Sequence, residues 1–365
     1  MLLELPLLRE VRNMASEGNE VSILKEGMRL LQGRMPAGWS LERVSPAQET
    51  DAQLNVFAPD GRRGTVSLEV RASLDPRDVL AMAVADRWLQ RQGHPPLAML
   101  VVARYLSLAT RERLIERGFG FLDLTGNIRL ELSEPGLFIE ATGASANPER
   151  DDRPARSLKG PKAGRVVRAL VDFRTTPGVR KLAVRAGVDA GYLSRVLSMM
   201  DRETLIERGR RGRVELVDWI RLLRRWAADA PLEARGPNGV FLEPRGLKSL
   251  LGQLAATGIR HAVTGSLAAS RQAPVAPSRL ATVYIEDMEE TAERLGLRPT
   301  DSGGNVLLVQ PNDDVVFDRC TEADGVWYVA PSQAVADLLT SPGRGPAEAE
   351  ALIEWMRAHE EAWRG

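Results

Sequence analysis

The stretch PGVRKLAVRAGVDAGYLSRVLSMMDRETLIERGRRGRVELVD, residues 177–218, combines two short helical patterns with an arginine-rich turn between two strand-like pieces. The first pattern predicts a helix that ends at Gly187. Asp189 is a suitable N-cap for a second helix over 189–203, in which apolar residues recur at i, i+3, i+4 and i+7 from Leu193. Residues 206–215 then predict a hairpin with a basic tip.

Charge is distributed unevenly along the chain. The 365 residues carry 49 basic and 49 acidic side chains, so the formal net charge is zero. Residues 153–226 nevertheless hold 19 Lys or Arg against 7 Asp or Glu, an excess of +12 that leaves −12 for the remainder. A basic segment in an otherwise acidic chain is typical of a surface that binds a polyanion. The alternative is an arginine-rich, solvated surface without a partner.

The length predicts more than one domain, because 365 residues exceed the usual size of a single core. Two stretches, 143–164 and 227–244, have the small, charged and proline-bearing composition of linkers. Alternating strand and helix patterns flank the helical middle. We therefore expect an α+β multidomain chain with domains at 1–145, 158–230 and 240–365.

Cysteine and histidine are scarce. A single cysteine, Cys320, excludes an intrachain disulfide, and the three histidines lack the spacing of zinc ligands. No apolar run reaches the roughly 18 residues of a membrane span. The first residues carry Glu4 and Glu10 and lack the pattern of a signal peptide. We expect a cytoplasmic protein with no metal, no cofactor and no membrane contact.

The order helix, helix, helix, hairpin, with AGVDAGYLSRVL (186–197) in the turn and third helix, resembles bacterial winged helix-turn-helix transcription regulators. The resemblance implies that residues 189–203 enter the major groove of duplex DNA and that a basic wing over 206–215 contacts the backbone. The alternative is a winged helix used for protein contacts. The side chains expected to contact DNA are Lys162, Arg165, Arg168, Arg180, Lys181, Tyr192, Ser194, Arg195, Arg208, Arg210, Arg211 and Arg213.

The amino-terminal part carries DAQLNVF (51–57) followed by GTVSLEVRASL (64–74), which resembles the restriction-endonuclease-like, PD-(D/E)XK superfamily. In that family two carboxylates hold Mg²⁺ and a lysine positions water and phosphate. The matching positions here are Asp51 and Glu69, with Arg71 in place of the lysine. Because arginine does not substitute for lysine in such a role, we expect an inactive, degenerate site. The turn with Asp123 and Asn127 predicts polar contacts without chemistry.

The carboxyl-terminal part opens with HAVTGSLAAS (261–270), which resembles nucleotidyltransferase-like domains through Gly265 and Ser266. Those domains place a pair of metal-binding carboxylates on the next strand. Here Arg279, Ala281 and Thr282 stand there, and Glu286 and Asp287 follow only at its far end, so we expect no transfer chemistry. The segment VVFDRC (315–320) predicts a further strand.

The tail WYVAPSQAVADLLTSPGRGPAEAEALIEW (327–355) resembles the AbiEi-like type IV antitoxins, and the resemblance extends over roughly residues 160–360. It implies a winged-helix domain followed by an antitoxin domain, in proteins that repress their own operon. This chain differs in having a further domain in front.

The sequence thus favours a DNA-binding transcriptional regulator that is not an enzyme, with double-stranded DNA as its partner. The alternatives are a Mg²⁺-dependent nuclease of a defence system, targeted by the winged helix, and an antitoxin-like protein that binds a partner through its carboxyl-terminal domain. A homodimer is also left open.

Overall fold

The computed structural model describes residues 20–44, 53–91, 98–145, 147–148, 157–209 and 212–365. The protein is α+β, with mixed sheets, and its chain divides into two compact units, Met1–Asp152 and Arg153–Gly365. The stretches 158–230 and 240–365 therefore lie within the same compact unit.

The first unit is built on a seven-stranded sheet in which the strands follow one another in chain order. Strands β3, β4 and β5 are parallel, and the remaining neighbours are antiparallel. The elements are α1 (20–32), β1 (Ser40–Val44), β2 (Gln53–Phe57), β3 (Arg63–Arg71), α2 (Pro76–Arg91), β4 (Ala98–Ala103), α3 (Leu108–Glu116), β5 (Gly120–Asp123), β6 (Ile128–Leu132) and β7 (Leu137–Ala141).

Alternation along β3 sets the two faces of this sheet. Val66, Leu68 and Val70 are buried, whereas Glu69 and its neighbours on the other face are partly exposed. Helix α1 packs closely on the sheet at Gly27, where an added Cβ would lie 2.7 Å from side-chain carbons of two buried sheet residues, Val102 and Leu122. A glycine is needed at this position for the helix to approach the strands.

The second unit begins with three helices, a hairpin and a fourth helix, which together we call the helix–hairpin segment (158–230). Its elements are α4 (Pro161–Val171), α5 (Val179–Arg185), α6 (Ala190–Arg202), β8 (Ile206–Arg208), β9 (Val214–Val217) and α7 (Trp219–Asp229). Pro161 opens α4, where the missing amide hydrogen costs nothing. The apolar faces of all four helices meet in one core.

The rest of the second unit is a mixed sheet with helices on both faces. The strand order is β13-β10-β14-β12-β11-β16-β15. The elements are β10 (Asn238–Leu242), α8 (Leu247–Thr257), β11 (His261–Thr264), α9 (Gly265–Ala269), β12 (Ala281–Ile285), α10 (Met288–Arg294), β13 (Arg298–Pro299), β14 (Val306–Val309), β15 (Thr321–Ala323), β16 (Val326–Tyr328), α11 (Pro331–Leu338), α12 (Gly345–Ala358) and α13 (Glu360–Trp363).

Alternate residues of β12 show what covers each face. Val283 belongs to an apolar cluster with α8 and α10. Its neighbour Tyr284 points to the opposite face and belongs to a cluster that contains α9, α11, α12 and the whole core of the helix–hairpin segment. The helix–hairpin segment and the sheet therefore share one continuous apolar core.

Aromatic side chains strengthen this junction. The rings of Trp219 on α7 and Trp363 on α13 meet edge to face, with centroids 5.1 Å apart. Trp219 Nε1 also donates to the Glu360 carboxylate at 3.0 Å. Because both tryptophans are buried, α13 is held against the helix–hairpin segment.

One predicted element is wrong. The segment 315–320 was expected to be a strand, but Asp314–Phe317 forms a 3₁₀ turn. The Asp313 carboxylate accepts from the Val315 N–H at 3.0 Å and caps the turn, while Val315 and Val316 fill the core beneath it. The apolar run is therefore buried as a turn.

Strands β10, β13, β15 and β16 are not predicted from the sequence, because each has only two to five residues and no continuous or alternating run of buried apolar residues. None of the described helices is long and apolar enough to span a bilayer.

Candidate nucleic-acid interface

Helix α6 presents one polar face to solvent. The Asp189 carboxylate accepts from the Tyr192 N–H at 2.7 Å, so it caps the helix as its position predicts. This hydrogen bond also holds the pKa of Asp189 below its usual range. Leu193 and the residues that follow it at helical spacing are buried, as predicted. Ser194 and Arg195 are exposed on the opposite face.

The hairpin after α6 is an irregular antiparallel pair. Its register shifts between Glu207 and Arg208, and Gly212 has a φ of 73°, which favours glycine. Arg208 Nε donates to the Gly212 carbonyl at 3.2 Å, and its Nη1 donates to Ser198 Oγ of α6 at 3.2 Å. The arginine therefore ties the hairpin to the exposed face of α6.

The remaining predicted contact residues lie at different places. Tyr192 is half-buried, with the Lys162 ammonium 5.9 Å from its ring centroid, so the start of α4 lies beside the start of α6. Arg180 and Lys181 are exposed on α5. Arg213 is exposed on the hairpin and donates to the Thr176 carbonyl at 3.3 Å. Arg210 and Arg211 lie outside the described residues.

Arg165 is engaged within the unit. Its guanidinium forms a bidentate pair with the Asp313 carboxylate, in which Nη2 donates to Oδ2 at 2.6 Å and Nε donates to Oδ1 at 3.0 Å. The hydrogen bonds to Asp313 raise the pKa of Arg165 further.

The prediction that Arg168 contacts DNA is wrong, because this side chain is only 2% exposed. Its guanidinium donates to Asp172 Oδ2 at 2.7 Å, to Gln333 Oε1 at 3.0 Å and to the carbonyls of Val315 and Asp318 at 3.0 and 2.8 Å. Sequence reasoning missed this buried network, since every partner except Asp172 lies 147–165 residues away along the chain.

The basic charge of the segment therefore divides into two sets. One set is paired with carboxylates: Arg165 with Asp313, Arg168 with Asp172, Arg174 with Glu361, Arg221 with Asp218, Arg224 with Glu350 and Arg225 with Glu203. The other set has no carboxylate within ion-pair distance in the part of the chain that the structure describes: Lys159, Lys162, Arg180, Lys181, Arg185, Arg195, Arg202, Arg208 and Arg213. The second set belongs to α5, α6, the hairpin and the region where α4 begins.

The nuclease-like residues of the first unit are paired with each other. Glu69 and Arg71 form an ion pair on β3, so the one carboxylate described at this site is already neutralised. Asp51, the other predicted carboxylate, lies outside the described residues. Within the described ranges, no group of three or more His, Cys, Asp or Glu side chains could hold a metal ion.

Asp123 and Asn127 form a structural network. The buried Asp123 carboxylate accepts from the N–H groups of Leu106 and Thr125 and from the side-chain amide of Asn127, at 2.8–3.0 Å. Asn127 also accepts from the Gly143 N–H at 2.9 Å. These bonds fix the β5–β6 turn and agree with the prediction of polar contacts.

The transferase-like residues of the second unit are also engaged. The Ser266 hydroxyl donates to the Glu348 carboxylate, and the neighbouring Thr264 donates to Asp337 at 2.7 Å. Glu286 pairs with Arg260, and Asp287 caps α10. The hydroxyl and carboxylates that the sequence singled out thus serve helix packing and capping.

Comparison of the chain with models of protein families, with characterised proteins and with solved structures found no match.

Proposed function

We propose that the protein is a DNA-binding transcriptional regulator whose helix–hairpin segment is a winged helix-turn-helix domain. One observation carries the proposal: the cations of α5, α6 and the hairpin have no carboxylate partners among the described residues, whereas the arginines of α4 and α7 are paired. Acidic groups of the same chain neutralise the arginines of α4 and α7 and leave those of α5, α6 and the hairpin without a counterion. A surface of this kind favours a polyanion.

Helix α6 has the features of a recognition helix. Its exposed amino-terminal half carries two small residues, Gly191 and Ser194, which permit close approach of a ligand, and the cation Arg195. A major groove accommodates an α-helix, and an arginine can form a bidentate contact with a guanine there. Ser194 is suited to a phosphate or base contact.

The hairpin would act as the wing. Arg208 is oriented by its bonds to Gly212 and Ser198, so its position relative to α6 is fixed before binding. Arg213 extends from the adjacent strand. Such cations fit the phosphate backbone beside the groove that α6 occupies.

The finer fold assignments are part of this proposal. The order α1-β1-β2-β3-α2-β4, with β4 parallel to β3, supports a restriction-endonuclease-like fold for the first unit. The Glu69–Arg71 pair favours a non-catalytic role there. The strand-to-helix turn at Gly265 supports a nucleotidyltransferase-like fold for 240–365, and the AbiEi-like likeness would extend over the second unit. A regulator of DNA would act in the cytoplasm.

The test is binding of the full chain to its own upstream DNA and to a scrambled duplex, followed by fluorescence anisotropy. Arg195→Ala removes an exposed cation of α6, and Arg224→Ala is the matched control, because Arg224 is an exposed arginine that pairs with Glu350 on α12. We expect Arg195→Ala to weaken specific binding by roughly 10-fold or more, since a bidentate base contact is worth about 1–3 kcal/mol. Arg224→Ala should bind like the wild type. Equal affinity of wild type and Arg195→Ala would refute the assignment of α6.

A further inference from the structure

A cleft lies where the helix–hairpin segment meets the rest of the second unit. We call it the junction cleft; its volume is about 410 Å³. Its walls come from α4, from the end of α5 and from residues 313–319. The end of α5 leads through Gly187 directly into α6. Pockets of a few hundred cubic ångströms hold small molecules, so a ligand here would contact the chain next to the proposed recognition helix.

Two arginines of the cleft have unused hydrogen-bonding capacity. Arg185 donates to the Thr175 carbonyl at 3.3 Å, and Arg319 donates to the Trp363 carbonyl at 3.0 Å. Both guanidinium groups lie over the Phe173 ring, at 4.2 and 4.9 Å from its centroid. Neither has a carboxylate within ion-pair distance among the described residues. Each arginine therefore retains donors for an anionic group.

One acidic group of the cleft is equally without a counterion. The other carboxylates are engaged: Asp172 with Arg168, Asp313 with Arg165, and Asp314 at 3.5 Å from Arg260. The Asp318 side chain, in contrast, has no cation within ion-pair distance in the described part of the chain. The cleft thus offers free cations and a free carboxylate together.

The backbone of Arg319 is an independent indication. Its φ is 57°, in the left-handed region that a non-glycine side chain occupies at a cost. Strain of this kind clusters at active sites, ligand sites and switch regions, and Thr204 and Asp324 share it in this chain. Beside it, Phe173 and the 82% exposed Val184 give the cleft an apolar wall.

We propose that the junction cleft binds a free α-amino acid with an apolar side chain, and that occupancy changes the affinity of the protein for DNA. The carboxylate would contact Arg185 and Arg319, the ammonium would contact Asp318, and the side chain would lie against Phe173 and Val184. A ligand that joins Arg185 on α5 to Arg319 and Asp318 would favour one position of α5, and hence of α6, over others. Only this coupling rests on the proposed function.

Isothermal titration calorimetry on the full chain, without DNA, tests the site. The probes are leucine, isoleucine, valine, methionine and phenylalanine, each at millimolar concentration. For any that binds, the matching amide and the matching des-amino acid remove one charge each. We expect at least one of the five amino acids to bind. Each of its two analogues should bind at least about tenfold more weakly, because a charge-assisted hydrogen bond is lost.

Variants assign the binding to the cleft. Arg185→Ala and Asp318→Asn should each weaken it about tenfold or more. Arg174→Ala is the control: it removes an arginine of the same region that pairs with Glu361 and does not line the cleft. Thermal melting of all three variants checks that they fold. Absence of binding by all five amino acids, or binding that survives both cleft variants, would overturn the proposal.

The coupling is measured separately as the DNA dissociation constant with and without the bound amino acid. We expect a change of about 5-fold or more, and by linkage DNA must change the amino-acid affinity by the same factor. An unchanged constant would overturn the coupling. A chain that binds DNA but none of the amino acids refutes the cleft alone. A chain that binds an amino acid but no duplex supports the cleft and refutes the regulator.

Discussion

Replacement of Arg168 by methionine is the most direct test of how the second unit is held together. Methionine keeps the length and apolar stem of the side chain but removes the guanidinium. The four hydrogen bonds to Asp172, Gln333 and the two carbonyls of 315 and 318 are lost. The Asp172 side chain, only 3% exposed, then keeps a single side-chain donor, Ser332 Oγ at 2.5 Å.

The expected loss follows from this geometry. Removing one partner of a buried ion pair leaves an uncompensated charge and costs about 3–5 kcal/mol. For a unit of this size that corresponds to a fall in melting temperature of roughly 6–20 °C. The double variant Arg168→Met/Asp172→Leu removes both charges and should recover much of the loss, because two apolar side chains of similar volume replace the pair.

The measurement is urea unfolding followed by tryptophan fluorescence, with Arg224→Met as the control. Arg224 pairs with Glu350, and the two side chains are 52% and 49% exposed, so its replacement should cost no more than about 1 kcal/mol. If Arg168→Met unfolds within 1 kcal/mol of the wild type, the buried network does not stabilise the unit as argued.

Three further predictions concern the pH dependence, the first unit and the DNA-binding surface. His261 is buried and neutral, since Nδ1 lies 2.7 Å from the Ile259 carbonyl and Nε2 accepts from the Trp327 N–H. Burial lowers the pKa of His261, so the unfolded chain binds a proton more readily than the folded chain does. The folded state therefore loses stability as the pH drops through about 6.5. Between pH 7.5 and 5.5 this loss is at most about 1.4 kcal/mol, and His261→Gln should abolish it in urea titrations at the two pH values. Asp123→Asn places an amide against the donors of Leu106 and Thr125 and should destabilise the first unit by about 2–4 kcal/mol, whereas exposed Asp60→Asn should change little; equal melting curves would contradict the network. Arg180→Ala with Lys181→Ala should lower the slope of log affinity for DNA against log salt by up to about 1.8, and an unchanged slope would place α5 away from the phosphates.

Local patterns were sufficient for several elements. The cap at Asp189 and the buried face of α6 follow from the order of residues within one helix, since capping and amphipathicity act over a few positions. The cap at Ser107 is a second example: its hydroxyl accepts from the Thr110 N–H at 3.2 Å, as the sequence indicates. Such features depend on neighbours in the chain and can be predicted without tertiary structure.

The segment 315–320 shows where local patterns fail. Its apolar residues are compatible with a strand, yet the Asp313 cap and the core below it impose a 3₁₀ turn. The same limit applies to β13 and β15, strands of two or three residues that exist only because a neighbouring strand is present to pair with them.

The sequence by itself determined that residues 153–226 are basic, that α6 has one apolar and one polar face, and that a glycine-containing hairpin follows it. Only the tertiary structure decided which cations remain free. Lys162, Arg165 and Arg168 lie within two turns of α4, and the only local difference among them is Asp172, four residues after Arg168. Arg165 and Arg168 are taken up by Asp313 and Gln333, far along the chain, whereas Lys162 stays exposed beside Tyr192. The pairing of charges depends on which surfaces the fold brings together, and that information lies in no single segment.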